Sequence, residues 1–144
     1  SMRKALLGAD ILVTCTPART PLVDLEDIHP GLFIAAVGAD SPGKQELTAA
    51  LTAHCTAVAD IRSQCVKVGE LQHPIREGLM LSGEGIAELG DVLSGRRAGR
   101  TSETEITLYD STGTALQDVA VGFEVLVAAQ RRGLGQKIDL GRER

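Results

Sequence analysis

Asp40 is the residue in this 144-residue sequence best placed to do chemistry. It follows the apolar run Leu32-Phe33-Ile34-Ala35-Ala36-Val37 and the two small residues Gly38 and Ala39. A carboxylate behind small residues at a strand end can be approached closely by a ligand and can serve as a general acid or base. A ligand that excludes water around it would raise its pKa toward working pH. On position alone, a loop or capping aspartate remains the simpler reading. The same stretch, Gly38 to Gln45, also imitates a phosphate loop of the form G-x-x-x-x-G-K-[ST]. Gln45 stands where a hydroxyl must hold Mg²⁺. Pro42 removes a backbone donor from the phosphate nest, and Asp40 sets a negative charge where phosphate would lie.

Other constellations are weaker. No G-x-G-x-x-G is present: Gly83-Glu84-Gly85 lacks the third glycine, and Gly133-Leu134-Gly135 falls at a helix end. His54-Cys55, Cys65 and His73 have no metal-ligand spacing, so no metal is expected. Ser111 follows a strand pattern without the G-x-S-x-G elbow of a nucleophile. Cys15, Cys55 and Cys65 form an odd set, read as reduced thiols of a cytoplasmic protein.

The elements that must position Asp40 follow from apolar runs and breakers. Arg3 to Asp10 reads as the last turns of a helix stopping at Gly8. Ile11-Leu12-Val13-Thr14-Cys15-Thr16 reads as a buried strand, and Leu22 to Ile28 as a helical turn capped by Asp24. The run Leu32 to Val37 is a second strand. A helix over 48–54, a strand over 57–60 and a helix over 61–70, broken by His73-Pro74, come next. A glycine-rich loop spans 78–85. The pattern then predicts a helix over 86–93, an exposed loop over 96–103 and a strand over 106–110. Thr114 and Gln117 form a capping box for the longest helix, which ends near Gly133. Its apolar residues lie on nearly every side, which predicts burial on more than one face. Lys137 to Leu140 reads as a last extended piece. Apolar strands alternating with helices give an α/β fold, a partial Rossmann-like parallel sheet with flanking helices. Ligands of such sheets sit at the carboxyl ends of strands.

Composition sets outer limits. Hydrophobic residues make up 43%, charged residues 24% and aromatic residues 2%, so the core must be Val, Leu, Ile and Ala. The net charge of −4, short basic clusters and few aromatics argue against nucleic-acid binding. No apolar stretch is long enough to span a membrane, and no membrane partner is expected.

Four blocks carry a family resemblance. Val37-Gly38-Ala39-Asp40-Ser41-Pro42-Gly43-Lys44-Gln45-Glu46-Leu47 resembles the signature of the ornithine cyclodeaminase/mu-crystallin family. Gly8 to Pro17, Glu88 to Gly95 and Asp110 to Asp118 resemble its preceding strand, its later helix and loop, and its last strand-to-helix junction. The family's enzymes use NAD or NADP and act at the Cα–N bond of amino acids or cyclic imines, by deaminating cyclisation, dehydrogenation or imine reduction. Crystallin-type members bind NADPH and thyroid hormone. The resemblance implies that Asp40 is the catalytic acid/base. It also implies that Thr14 and Thr16 line the adenosine side of the cofactor, that Val37 and Gly38 approach the nicotinamide, and that Ser111, Thr112 and Gly113 lie beside its ring.

Full members also carry an N-terminal substrate and dimerisation domain and a glycine-rich cofactor loop. Neither has a counterpart in residues 1–144, which read as one domain, the C-terminal portion of an NAD(P)-binding Rossmann domain. The expected partners are an amino acid or imine and a second copy of the chain, covering the apolar helix at Leu116 to Ala129. Loss of the cofactor loop predicts weak or no cofactor binding and no turnover by this chain alone. The alternative is a non-catalytic fragment that folds, associates and binds only a cofactor or ligand.

Overall fold

Five short parallel strands form the centre of the computed structural model, which describes residues 2–138 and Gly141. The chain divides into two units, residues 1–113 and residues 114–144. The first unit contains α1 (Met2–Leu6), β1 (Ile11–Thr14), a 3₁₀ turn (Leu25–Asp27), β2 (Phe33–Ala36), α2 (Ala49–His54), β3 (Thr56–Ala59), α3 (Arg62–Val68), α4 (Gln72–Arg76), β4 (Ala87–Glu88), α5 (Leu89–Leu93) and β5 (Thr107–Asp110). The sheet order is β1-β2-β5-β3-β4. Because every pairing is parallel, all strand carboxyl ends lie along one rim.

The two faces of the sheet are covered unequally. Side chains alternate between faces along each strand. The registers set Thr14, Ala36, Asp110 and Ala59 in one row and Leu12, Ile34, Leu108 and Ala57 in the next, all on one face. Ile34, Ala36 and Leu108 are fully buried there, with Leu6, Leu32, Leu47 and Leu51 completing the main core, while Ala59 packs in a smaller cluster with Cys65, Leu71 and Ile86. On the opposite face Ile11 and Val13 are each 63% exposed. Phe33, Val58 and Tyr109, with Leu89 and Val92 of α5, line a cavity of about 460 Å³ on that face.

Local capping follows the sequence closely. Asp24 caps the 3₁₀ turn in a reciprocal box with Asp27, and Thr48 caps α2. Two expectations need correction. The helix expected over 61–70 stops at Val68, with Gly69 as its C-cap, and His73-Pro74 does not break a helix. Pro74 lies in the first turn of α4, where a missing N–H costs no intrahelical bond. The helix expected over 86–93 begins instead as β4, with Ala87 opposite Val58 and Glu88 opposite Ala59, before α5 starts at Leu89. Two residues are too few to show a strand period, and only the free edge of β3 selects the extended form.

In the second unit, α6 (Ala115–Arg131) begins at the expected capping box. Gln117 N donates to Thr114 Oγ1 at 3.3 Å, and Thr114 N donates to Gln117 Oε1 at 3.2 Å. The expected burial of this helix is not found: Leu116, Val119, Val121, Phe123, Val125 and Leu126 are all exposed. Lys137 and Ile138 form no strand, and Asp139 and Leu140 lie outside the described residues.

The first unit is tied together by buried acids that have no cationic partner among the described residues. Asp110, at the end of β5, accepts the N–H groups of Glu70 (3.1 Å) and Leu71 (3.0 Å). Glu70 in turn accepts those of Glu46 (2.7 Å) and Leu47 (3.2 Å). All three acidic side chains are fully buried. A Cβ on Gly69 would stand 2.6 Å from both Asp110 oxygens, so only glycine lets the α3–α4 turn approach this close. Burial pushes Glu70 up to about 8 and Asp110 up to about 7, against the opposing pull of the amides.

Both acids have folded pKa values above their unfolded ones. Between about pH 4 and 8 the native state therefore holds protons that the unfolded chain has lost. Stability is expected to be greatest near the acid end of that window and to fall as pH rises through 7 to 8. Urea midpoints taken from pH 5 to 8.5 should decline, and Glu70→Gln should flatten the decline.

Candidate functional site

The rim at the strand carboxyl ends gathers the residues singled out from sequence. Thr14 is the last residue of β1 and is 6% exposed. Its Oγ1 is a buried side-chain oxygen with no hydrogen-bond partner among the described residues. Val37 continues from β2, and its N–H donates to Thr14 O at 2.9 Å. Ser111 leaves β5 beside it, with Ser111 N donating to Ala36 O at 3.0 Å. The ends of β1, β2 and β5 are thus laced together in order, and the loops beyond them emerge side by side.

Two carboxylates organise these loops, and neither was singled out from sequence. Glu46 accepts Thr16 N at Oε1 (2.6 Å) and Gly38 N at Oε2 (2.9 Å). Asp60, just past β3, accepts Thr112 N and Gly113 N at Oδ2, both at 2.8 Å, and Ile61 N at Oδ1. Ser111 Oγ, Thr112 Oγ1 and Cys65 Sγ add further bonds to it. Burial opposes ionisation of Asp60, but these donors outweigh it and hold its carboxyl below the usual range. Beyond the place of Glu46 in the block Val37 to Leu47, the sequence signal for either residue is a charge next to apolar segments with no cation at helical spacing. That pattern fits many exposed residues equally well.

The loop carrying Asp40 is bolted down from several sides. Gln45 N donates to Ala18 O at 2.9 Å, and Gly43 N donates to Gln72 Oε1 at 3.0 Å. Lys44 O accepts from His73 Nε2 at 2.7 Å, and Pro42 O accepts from Arg19 at 3.2 Å. The donors that a phosphate loop would turn toward its ligand are therefore spent inside the protein. Gly38, Gly43 and Gln45 N–H groups all have protein acceptors.

Asp40 itself stays accessible, with its side chain 53% exposed. Lys44 Nζ lies 2.6 Å from Asp40 Oδ1 and 3.4 Å from Gly38 O. The hydrogen bond from Lys44 holds the Asp40 carboxyl below its ordinary range, so it is ionised at neutral pH. A neighbouring ring that excluded water would act in the opposite sense. The i+4 spacing of Lys44 from Asp40 is the one local sequence signal of this pair.

The rim can be tested for fit to a dinucleotide cofactor on its own atoms. It offers a buried hydroxyl at Thr14 without a partner among the described residues, an exposed carboxylate at Asp40, and open space above the Gly113 Cα. Its strand-end N–H groups at Thr16, Gly38, Thr112 and Gly113 already serve carboxylates. These features suit uncharged rings and hydroxyls. They do not form a phosphate cradle, which needs free, convergent N–H donors. Among the described residues no cluster of His, Cys, Asp and Glu could hold a metal ion.

Known proteins share this architecture. An archaeal alanine dehydrogenase dimer with bound NAD superposes with a TM-score of 0.82 at 41% identity, over 92% of this chain and 41% of that one. The iminosuccinate reductase of Paracoccus denitrificans in complex with NAD⁺ gives 0.88 at 36% identity, over 97% of this chain and 43% of that one. The Δ¹-pyrroline-2-carboxylate reductase of Thermococcus litoralis, in complex with NADH and L-proline, gives 0.88 at 29% identity, covering 96% and 43%. The chain spans about two-fifths of the length of the curated relatives it matches. A model of the ornithine cyclodeaminase/mu-crystallin family matches residues 1–130, and the chain belongs to that family.

Proposed function

We propose that this rim forms the nicotinamide and substrate side of an NAD(P)-dependent site acting at the Cα–N bond of an amino acid or imine. The observation that carries the reading is Asp40, an exposed, ionised carboxylate in a loop otherwise bolted to the fold. In this reading NAD(P), when bound, supplies or accepts the hydride at Cα. Asp40 takes a proton as an amine becomes an imine and returns one in the reductive direction. Thr14 and Thr16 face the adenosine side, Val37 and Gly38 approach the nicotinamide, and Ser111, Thr112 and Gly113 border its ring. Lys44 keeps Asp40 charged until bound rings displace water around the pair. The solved relatives with NAD⁺, or with NADH and L-proline, support this class of chemistry.

The pyrophosphate grip of such a site would come from outside residues 1–144, which we read as the C-terminal portion of the cofactor domain. The phosphate-poor rim also supports a second reading, a member that binds a ligand without turnover. Three free cysteines fit a reducing compartment such as the cytoplasm. The exposed apolar residues of α6 support self-association, as does the dimeric alanine dehydrogenase relative. No helix among the described residues is long and apolar enough to cross a membrane.

Calorimetric titration of the chain with NADH, NADPH and ATP is expected to give weak, saturable heat with a nicotinamide dinucleotide only, because the pyrophosphate grip is not supplied by these residues. Silence from all three would remove cofactor binding from this chain, and magnesium-dependent ATP binding would overturn the reading. In the full-length protein carrying these residues, Asp40→Asn is expected to lower kcat by about 10²–10⁴-fold, the usual worth of a general acid/base, with NADH affinity unchanged. Unimpaired turnover would take Asp40 out of the chemistry. Sedimentation velocity at micromolar concentration should show a dimer that Val119→Lys with Phe123→Glu dissociates. A wild-type monomer would count against association through α6.

A further inference from the structure

We propose that Glu46 is a positioning residue: its carboxylate bridges the tips of β1 and β2 and sets the gap on which Asp40 and the cofactor rings depend. The functional half of this statement rests on the site reading above. The geometric half stands on the side chain's own surroundings. Glu46 is fully buried, and each carboxylate oxygen takes one backbone N–H, Thr16 at 2.6 Å and Gly38 at 2.9 Å. Each oxygen thus holds one strand tip, and the planar group acts as a spacer of fixed width.

The bridge is anchored and tightly fitted. Glu46 N donates to Glu70 Oε1 at 2.7 Å, and Glu46 O accepts from Leu22 N at 2.7 Å and Val23 N at 3.2 Å. Its main chain is therefore held on both sides while the side chain reaches the tips. A Cβ on Gly38 would stand 2.4 Å from Glu46 Cδ and 2.5 Å from Thr16 O. Glycine is required there because the carboxylate and the β1 tip already fill the space. Gly38 lies two residues before Asp40, and its carbonyl accepts from Lys44 Nζ, the same ammonium that pairs with Asp40. A shift of Gly38 therefore moves the Lys44–Asp40 pair as well.

Chemistry distinguishes a carboxylate bridge from mere filling of space. Glutamine has nearly the same shape but only one acceptor oxygen, and its NH₂ would face one of the two N–H donors. One tip is then released and left with an unsatisfied buried donor.

The test is carried out on this chain by NMR. In the wild type, through-hydrogen-bond couplings are expected from the Thr16 and Gly38 amide nitrogens to the Glu46 side-chain carboxyl carbon. This needs no variant, and absence of both couplings overturns the bridge. In Glu46→Gln, at least one of the two amides should exchange about tenfold faster or more, and NADH affinity should fall by about tenfold, in line with losing one hydrogen bond to a charge. Equal NADH affinity in a folded Glu46→Gln protein whose couplings are lost overturns the positioning role. If the wild type shows both couplings but binds no NADH, the bridge stands and cofactor binding by this chain fails instead.

Discussion

Among the described residues the buried acids Asp110, Glu70 and Glu46 have no cation beside them, and backbone amides answer their charge in part. Asp110, Glu70 and Glu46 each accept two N–H groups, in a series running from β5 through the α3–α4 turn to the tips of β1 and β2. Removing water from a carboxylate is costly, and charge-assisted bonds to N–H dipoles offset that cost. The same bonds satisfy amide donors that would otherwise be orphaned in loops behind the sheet. Each acid therefore joins two segments distant in sequence, and the short strands are held in place by the loops around them. With Glu70 and Asp110 pushed up to about 8 and 7, these two acids sit close to their protonation boundary at neutral pH.

That arrangement also explains the character of the rim. In many nucleotide-binding sheets the strand-end amides are free and draw phosphate. Here Glu46 and Asp60 take them first, so the loops present hydroxyls, small residues and one exposed carboxylate. Rigidity and accessibility are divided between neighbours: Gly43, Lys44 and Gln45 are bolted by their main chains, while the Asp40 side chain remains outside. The loop thus holds Asp40 in place while leaving its side chain reachable, as the proposed acid/base role requires.

The place of the proposed site residues at the strand carboxyl ends was legible as sequence, but not the contacts that hold them. Asp40 could be singled out because a carboxylate behind Gly38 and Ala39 at the end of an apolar run is unusual. Its pairing with Lys44 was within reach of spacing rules. Glu46 and Asp60 could not be found in this way. Their partners are backbone N–H groups of remote residues, which every residue but proline possesses and no pattern reveals. The apolar helix from Ala115 to Arg131 shows the opposite failure: its composition demanded burial, yet its side chains are exposed. Composition records that a partner surface is needed, not where that surface lies.

The sequence by itself determined the local events. These are the caps at Asp24, Thr48 and Thr114, the apolar strands, the glycine stops, and the family blocks from Gly8 to Asp118, because each depends on residues within a few positions of one another. Only the tertiary structure decided that β4 is a strand, that Pro74 lies in the first turn of a helix, and that Glu46 joins Thr16 to Gly38. Those outcomes depend on a free strand edge, a turn pressed against Asp110 and the gap between two strand tips, and such features exist only once distant segments are brought together.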